Sequence, residues 1–214
     1  IRGARSTSYN WYLRPETPSL MLRFLFLFFI IPNLGFGQHT VKLMVGSAPF
    51  QLHTNYLMNG TDSIRLDQFK FYVGNQRGDF HLVDASDTTT FSLPFTDRVL
   101  IIGMDSLANT SGKLDGAFDP LLGMYWAWNT GYIQLKMTGN SYSGGITRPF
   151  DYHIGGYRVP FSTSKSFNIL TANQFVTANL DSLFSSLPIQ STPNIMLPGP
   201  AAQQIFNSFV STFE

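Results

Sequence analysis

The stretch from Ile102 to Gly139 constrains the fold more than any other part of the chain. It reads I-G-M-D-S-L-A-N-T-S-G-K-L-D-G-A-F-D-P-L-L-G-M-Y-W-A-W-N-T-G-Y-I-Q-L-K-M-T-G. Its first half is a long loop that carries Asp105, Asp115 and Asp119 and is broken by Gly112, Gly116 and Pro120. The loop feeds a very aromatic strand holding Trp126 and Trp128, and an alternating segment follows from Tyr132 to Met137. Side chains on a strand alternate between faces, so two tryptophans two residues apart point to the same side. That side is either a core wall or a site.

Around this stretch the chain is a series of short strand signals. Val41–Val45, the aromatic run Phe69–Val73, Phe80–Val83, Phe91–Pro94 and Arg98–Ile102 precede it. Thr61–Asp67 leads into Phe69, and Gln51–Met58 is looser, ending on the turn pair Asn59-Gly60. Val99 to Ile102 is apolar enough to be buried on both faces. After the central stretch, Asn140–Thr147 reads as a Ser/Gly loop. Phe150–Ile154 is a strand cut by Gly155-Gly156, with Tyr157–Pro160 resuming it, and Phe167–Leu170 and Phe175–Leu180 are further candidates. Asp181–Leu187 has helical spacing of Leu183, Phe184 and Leu187. At the C-terminus, Ile205, Phe206, Phe209, Val210 and Phe213 form one face of an amphipathic helix, with Pro200 near its first turn. Strands at regular spacing between Gly, Asn, Asp and Pro predict an all-β fold. The expected architecture is an antiparallel β-sandwich with long loops and one C-terminal amphipathic helix packed on its edge or end.

The N-terminal region reads as a leader. Met21-Leu22-Arg23 supplies a positive start, Phe24–Ile31 is unbroken apolar sequence, and Gly35 and Gly37 have the spacing of a peptidase site. Residues 21–37 are therefore expected to be a signal peptide, with residues 1–20 an upstream extension and residues 38–214 a single domain. The apolar run is too short to span a membrane. The expected destination is the periplasm or the exterior. Of 14 basic and 13 acidic residues, the first 37 contain Arg2, Arg5, Arg14, Arg23 and Glu16, which leaves ten bases against twelve acids and a net charge of −2. Nothing in that balance would hold a polyanion, so nucleic acid is not an expected partner. The chain has no cysteine, which excludes disulfide staples and thiolate metal sites. Packing must supply the stability, and 20 phenylalanines and nine tyrosines can do so.

No arrangement of a hydrolase or transferase is present: there is no G-x-S-x-G, phosphate loop or H-E-x-x-H. After residue 37 the only glutamate is Glu214, and the histidines are His39, His53, His81 and His153. The expectation is a protein with no catalytic turnover. The run G-x-L-D-G-x-x-D-P-x-x-G-M-Y-W-x-W-N-x-G-Y-I-x-x-K, with Phe69–Val73, His81–Asp84 and Tyr152–Tyr157, closely resembles the MbnP-like proteins. That family is named for a methanobactin-associated periplasmic copper-binding protein, and the resemblance covers nearly the whole chain after residue 40. It implies copper as the ligand, for acquisition, storage or handling. It also implies a tryptophan oxidised to kynurenine by a partner diheme enzyme, joined at the metal by two histidines. On this chain Trp126 and Trp128 match the tryptophan motif and His153 matches the histidine motif. Relatives carry histidines in the first strand, where this chain reads Lys42–Gly46; His39 and Met44 are the nearest substitutes and His53 the next.

Blander readings stand beside these. His153 on a strand also suits a hydrogen-bonded structural histidine, and both tryptophans suit a core. Asp105, Asp115 and Asp119 are candidates either for calcium or for the turn-forming roles in which aspartate is common. The alternative function is an extracytoplasmic binding module that takes a glycan or a protein on an aromatic surface, without the metal.

Overall fold

The structure, a computed structural model, describes residues 38–58, 60–94, 96–126, 131–169 and 175–214. The expected leader and Trp128 lie outside these residues. In chain order the strands of the first half are β1 (Thr40–Val45), β2 (Ala48–Pro49), β3 (Asn55–Leu57), β4 (Ser63–Asn75), β5 (Phe80–Asp84), β6 (Thr90–Ser92) and β7 (Val99–Gly103). The short helix α1 (Ser106–Asn109) and two 3-10 turns, Gly116–Phe118 and Pro120–Leu122, occupy the central loop. Then come β8 (Tyr125–Trp126), β9 (Gly131–Ser143), β10 (Ile146–Gly155), β11 (Ser164–Asn168) and β12 (Phe175–Asn179). Helix α2 (Asp181–Ser186), β13 (Asn194–Ile195) and helix α3 (Pro200–Val210) complete the chain.

The fold is mostly β and sandwich-like, with two sheets. In the smaller one, β1 pairs with β12 on one edge and with β2 and β6 on the other. The larger sheet runs β11-β7-β4-β9-β10-β13, with β3 and β5 on the free edge of β4 and β8 on β9. Most pairs are antiparallel, as expected, but β1–β12 and β10–β13 are parallel. Alternation along β1, β4, β9 and β10 turns Val41, Leu43, Leu66, Phe69, Phe71, Leu135, Met137, Tyr152 and Ile154 into one shared core, all with 3% exposure or less.

The longest strands exceed the sequence reading. Most of Thr61–Asp67, from Ser63 on, and Phe69–Val73 form one strand, β4, with an irregularity in its pairing to β9 between Leu66 and Gln68. There an extra residue is absorbed, so Asp67 and Gln68 break the alternation without ending the strand. The expected loop Asn140–Thr147 is instead the tip of the β9–β10 hairpin: strand pairing runs to Ser143–Ile146 and only Gly144-Gly145 form the turn. Gly139 within β9 is required by a close approach, because a Cβ there would lie 2.0 Å from the Arg65 carbonyl oxygen. Tyr157–Pro160 does not resume a strand but forms a surface loop after β10.

Helix α3 has the predicted face, with Ile205, Phe206 and Phe209 buried. Its position is more central than an edge. Phe209 packs at 5.8 Å from Phe69 and 4.9 Å from Phe71, both on the inner face of β4. The smaller sheet is short, and α2 and α3 fill the space it leaves: Phe184 of α2 joins Phe50, which in turn meets Phe69. Among the described residues no helix is long and apolar enough to cross a membrane.

Candidate functional site

The aromatic motif and its preceding loop build a second, smaller core on the opposite face of the large sheet. Tyr72, Met104, Ala108, Phe118, Met124, Trp126, Tyr132 and Ile133 form it. The rings of Phe118 and Tyr132 meet edge to face at 5.5 Å, and Tyr72 meets Tyr132 at 6.1 Å. The polar tips of these tyrosines point at the loop. The Tyr72 hydroxyl donates to the Ala117 carbonyl at 2.8 Å, and the Tyr132 hydroxyl approaches the carbonyls of Lys113 and Phe118 at 2.5 and 3.1 Å. Burial pushes both phenols up from their ordinary range; Tyr132 adds to the rise at Tyr72, and Tyr125 and Asp115 add to the rise at Tyr132. They remain neutral donors. The fully buried Gln134 completes the fastening: its Oε1 accepts from the Met104 amide at 3.0 Å and its Nε2 donates to the Gly156 carbonyl at 3.1 Å.

Two of the three loop aspartates act locally. The Asp105 carboxylate accepts from the Ala108 amide at 2.7 Å and caps α1. The Asp119 carboxylate accepts from the Leu121 amide at 2.8 Å and starts the second 3-10 turn. Asp115 precedes the first 3-10 turn and makes no side-chain cap. Among the described residues no three histidine, aspartate or glutamate side chains gather in a group that could hold a metal ion.

Next to this outer core, strand register lines up a charged row. Asp84 on β5, Lys70 on β4, Lys136 on β9 and His153 on β10 are successive cross-strand partners. Lys70 Nζ lies 2.6 Å from the Asp84 carboxylate and also donates to the Leu122 carbonyl at 3.4 Å. Lys136 Nζ donates to the Gly123 carbonyl at 3.3 Å. The two ammonium groups thus hold the carbonyl end of the second 3-10 turn, where the dipoles of the peptide groups favour a cation. Burial pulls Lys136 below its usual range, Asp151 opposes this and Lys70 adds to it.

His153 is mostly buried, with 18% of its side chain exposed. Its Nε2 comes within 2.9 Å of Asp151 Oδ1, a charge contact without the alignment of a hydrogen bond. Burial lowers the imidazole below its ordinary range; the Asp151 carboxylate works against that and Lys136 works with it. The neutral ring keeps a lone pair on one nitrogen, the form that ligates metals. Trp126, 3% exposed, lies against the same strand: a Cβ on Gly155, two residues beyond His153, would sit 2.8 Å from its ring.

The other expected ligands are elsewhere. His39 precedes β1 in the smaller sheet, is 7% exposed, and has no hydrogen-bond partner for either ring nitrogen among the described residues. By alternation it shares the inward side of Val41 and Leu43, whereas His153 faces away from the core between Tyr152 and Ile154. His53, at a positive φ of 62°, is exposed and contacts the Asp67 carboxylate at 3.2 Å. Asp67 is reached by Asn140, four residues along β9 from the partner of His153, or about 13 Å at the usual rise per residue. The structure therefore sets the Trp126 ring against β10, two residues along the strand from His153, and leaves His39 and His53 elsewhere. Among the described residues the donor set fits a metal only in part, with His153 the one imidazole on this face of β10. His81, on β5, is lowered by burial and pairs with Val73.

A cleft that sequence reasoning missed adjoins Trp126. It measures about 490 Å³ and is lined by Trp126, Tyr132, Asn109, Tyr157, Arg158 and Phe161 among others. No sequence pattern marks it, because its walls come from α1, the β8–β9 pair and the loop after β10.

A family model described as MbnP matches residues 38–197. No curated protein sequence matches the chain. Among solved structures, MbnP from Methylosinus trichosporium is similar, with 13% identity, a TM-score of 0.48, and coverage of 77% of this chain and 82% of that one. With the family model spanning most of its length, the chain belongs to the MbnP family.

Proposed function

We propose that this protein is an extracytoplasmic copper-binding protein, serving copper acquisition, storage or handling, with no turnover of its own. The observation that carries this reading is the placement of two motif residues at one stretch of β10. Trp126 packs on Gly155, two residues along β10 from His153. Imidazole nitrogen suits copper, and His153 is the imidazole of the matching motif. Because His39 and His53 stand apart, we assign the second donor to the tryptophan motif. A kynurenine formed from Trp126 or Trp128 by a partner diheme enzyme would offer an aryl amine and a ketone. The chain's own contribution is to hold His153 neutral and half-shielded, and to fix Trp126 against the strand.

The test is a copper titration of the protein exported from a host that carries the diheme enzyme, compared with His153→Ala. The expected result is loss of one bound copper equivalent in the variant with the fold retained. Equal copper binding by both proteins would move the metal off β10 and defeat the assignment.

A further inference from the structure

We infer that the cleft beside Trp126 is a binding site for a small aromatic carboxylate. Its volume, about 490 Å³, falls within the roughly 300–1,000 Å³ of small-molecule sites. The walls are aromatic and aliphatic: Trp126, Tyr132, Tyr157 and Phe161, with Val159 and Pro198 at the mouth. Such a lining accepts a flat apolar body.

The charge of the cleft selects the sign of the ligand. Among the described residues Arg158 is the one charged side chain that lines it, with no aspartate or glutamate. The guanidinium sits 5.3 Å from the centre of the Tyr157 ring and has no ion-pair partner among the described residues. Its planar fork matches a carboxylate, and the ring beneath it fixes its plane. At the inner wall Asn109 is 7% exposed; its Oδ1 accepts from the Tyr132 amide at 3.4 Å, while its Nδ2 is buried with no acceptor among the described residues. A buried donor left unmatched is costly, so this wall favours a ligand that brings an oxygen acceptor.

The floor is rigid enough to be a formed site. The Gly156 carbonyl accepts from Gln134 Nε2 at 3.1 Å, from the Thr163 amide at 2.9 Å and from Thr163 Oγ1 at 3.1 Å. A side chain on Gly156 would meet the Phe161 carbonyl at 2.5 Å, and one on Gly131 would meet Asn109 Oδ1 at 3.1 Å. Glycine at both places keeps backbone, not side chain, at the base of the cleft. Neither copper nor oxidation of a tryptophan enters this inference.

The experiment is a titration of the purified protein with phenylacetate and, separately, with phenylacetamide, followed by calorimetry and by NMR. Phenylacetate is expected to bind roughly tenfold more tightly than the neutral amide, the difference a charged hydrogen-bond partner makes. It is expected to shift the Trp126 indole and Asn109 side-chain amide signals. Arg158→Gln, an exposed substitution, is expected to abolish the preference for the acid. No binding of phenylacetate up to millimolar concentration, equal binding of acid and amide, or an unchanged preference in the variant would each overturn the proposal.

Discussion

Gly155 shows how one residue couples the sheet to the motif. A Cβ at this position would lie 2.6 Å from the Tyr132 carbonyl oxygen and 2.8 Å from the Trp126 ring. The carbonyl belongs to the neighbouring strand and cannot swing aside, so the indole or the strand pairing must yield. Gly155→Ala is expected to destabilise the fold by about 2 kcal/mol, the scale of overpacking in a filled core, as measured by urea unfolding. Stability unchanged within error would mean that Trp126 does not press on β10. Tyr132 offers a second residue-scale test, because its hydroxyl meets two loop carbonyls while its ring stays in the outer core. Tyr132→Phe is expected to cost about 1–2 kcal/mol and to speed amide hydrogen exchange selectively between residues 105 and 123. Exchange that rises evenly over the whole sheet would argue against a local clasp.

At the scale of elements, the charged row across β5, β4, β9 and β10 is the feature that ties the loop to the sheet. Burial alone would raise the Asp84 carboxyl, but hydrogen bonds from Lys70 and Ser86 outweigh it and hold the group below its ordinary value of 3.8. A carboxyl depressed in the fold contributes stability that is complete above the unfolded value and is lost as pH falls through the lower, folded value. Asp84→Asn is therefore expected to lower stability at neutral pH and to flatten its fall below pH 3.8, read from unfolding midpoints across that range. Retention of the full acid-limb slope would place the linkage on another group. This row was not legible in the sequence, since Asp84, Lys70, Lys136 and His153 meet only through long-range register. The strands themselves were legible where alternation is clean, as in β1 and β12, or where the run is continuously apolar, as in β7. They were misread where two polar residues adjoin, at Asp67-Gln68, and where small polar residues fill a hairpin tip, at Asn140 to Thr147. Helix α3 was readable from its apolar spacing, but its place was not, because nothing local says that the smaller sheet leaves the inner face of β4 for a helix to cover.

At the scale of the whole domain, the described residues form a large sheet with a core on each face. The main core joins it to the smaller sheet and the two C-terminal helices; the outer core joins it to the motif loop. Phe209 stands at the centre of the first, touching Phe69, Phe71, Phe206 and Phe213. Phe209→Ala is expected to cost about 3–5 kcal/mol in chemical unfolding, as large aromatic truncations in cores do. A loss below 1 kcal/mol would show that α3 is not part of the cooperative unit. In the candidate site, Trp126 and His153 were legible in the sequence, but the seating of the Trp126 ring against β10 was not, because it depends on the pairing of β8, β9 and β10. It could not supply the cleft, whose walls are far apart in the chain. The central claim, that this fold presents copper with His153 and a modified tryptophan, is tested most directly on protein exported from its native host. Copper content should be measured together with peptide mass from Gly123 to Lys136. The account predicts one copper per chain and a mass change at Trp126 or Trp128. Unmodified tryptophans with no copper, even after copper is supplied, would contradict it.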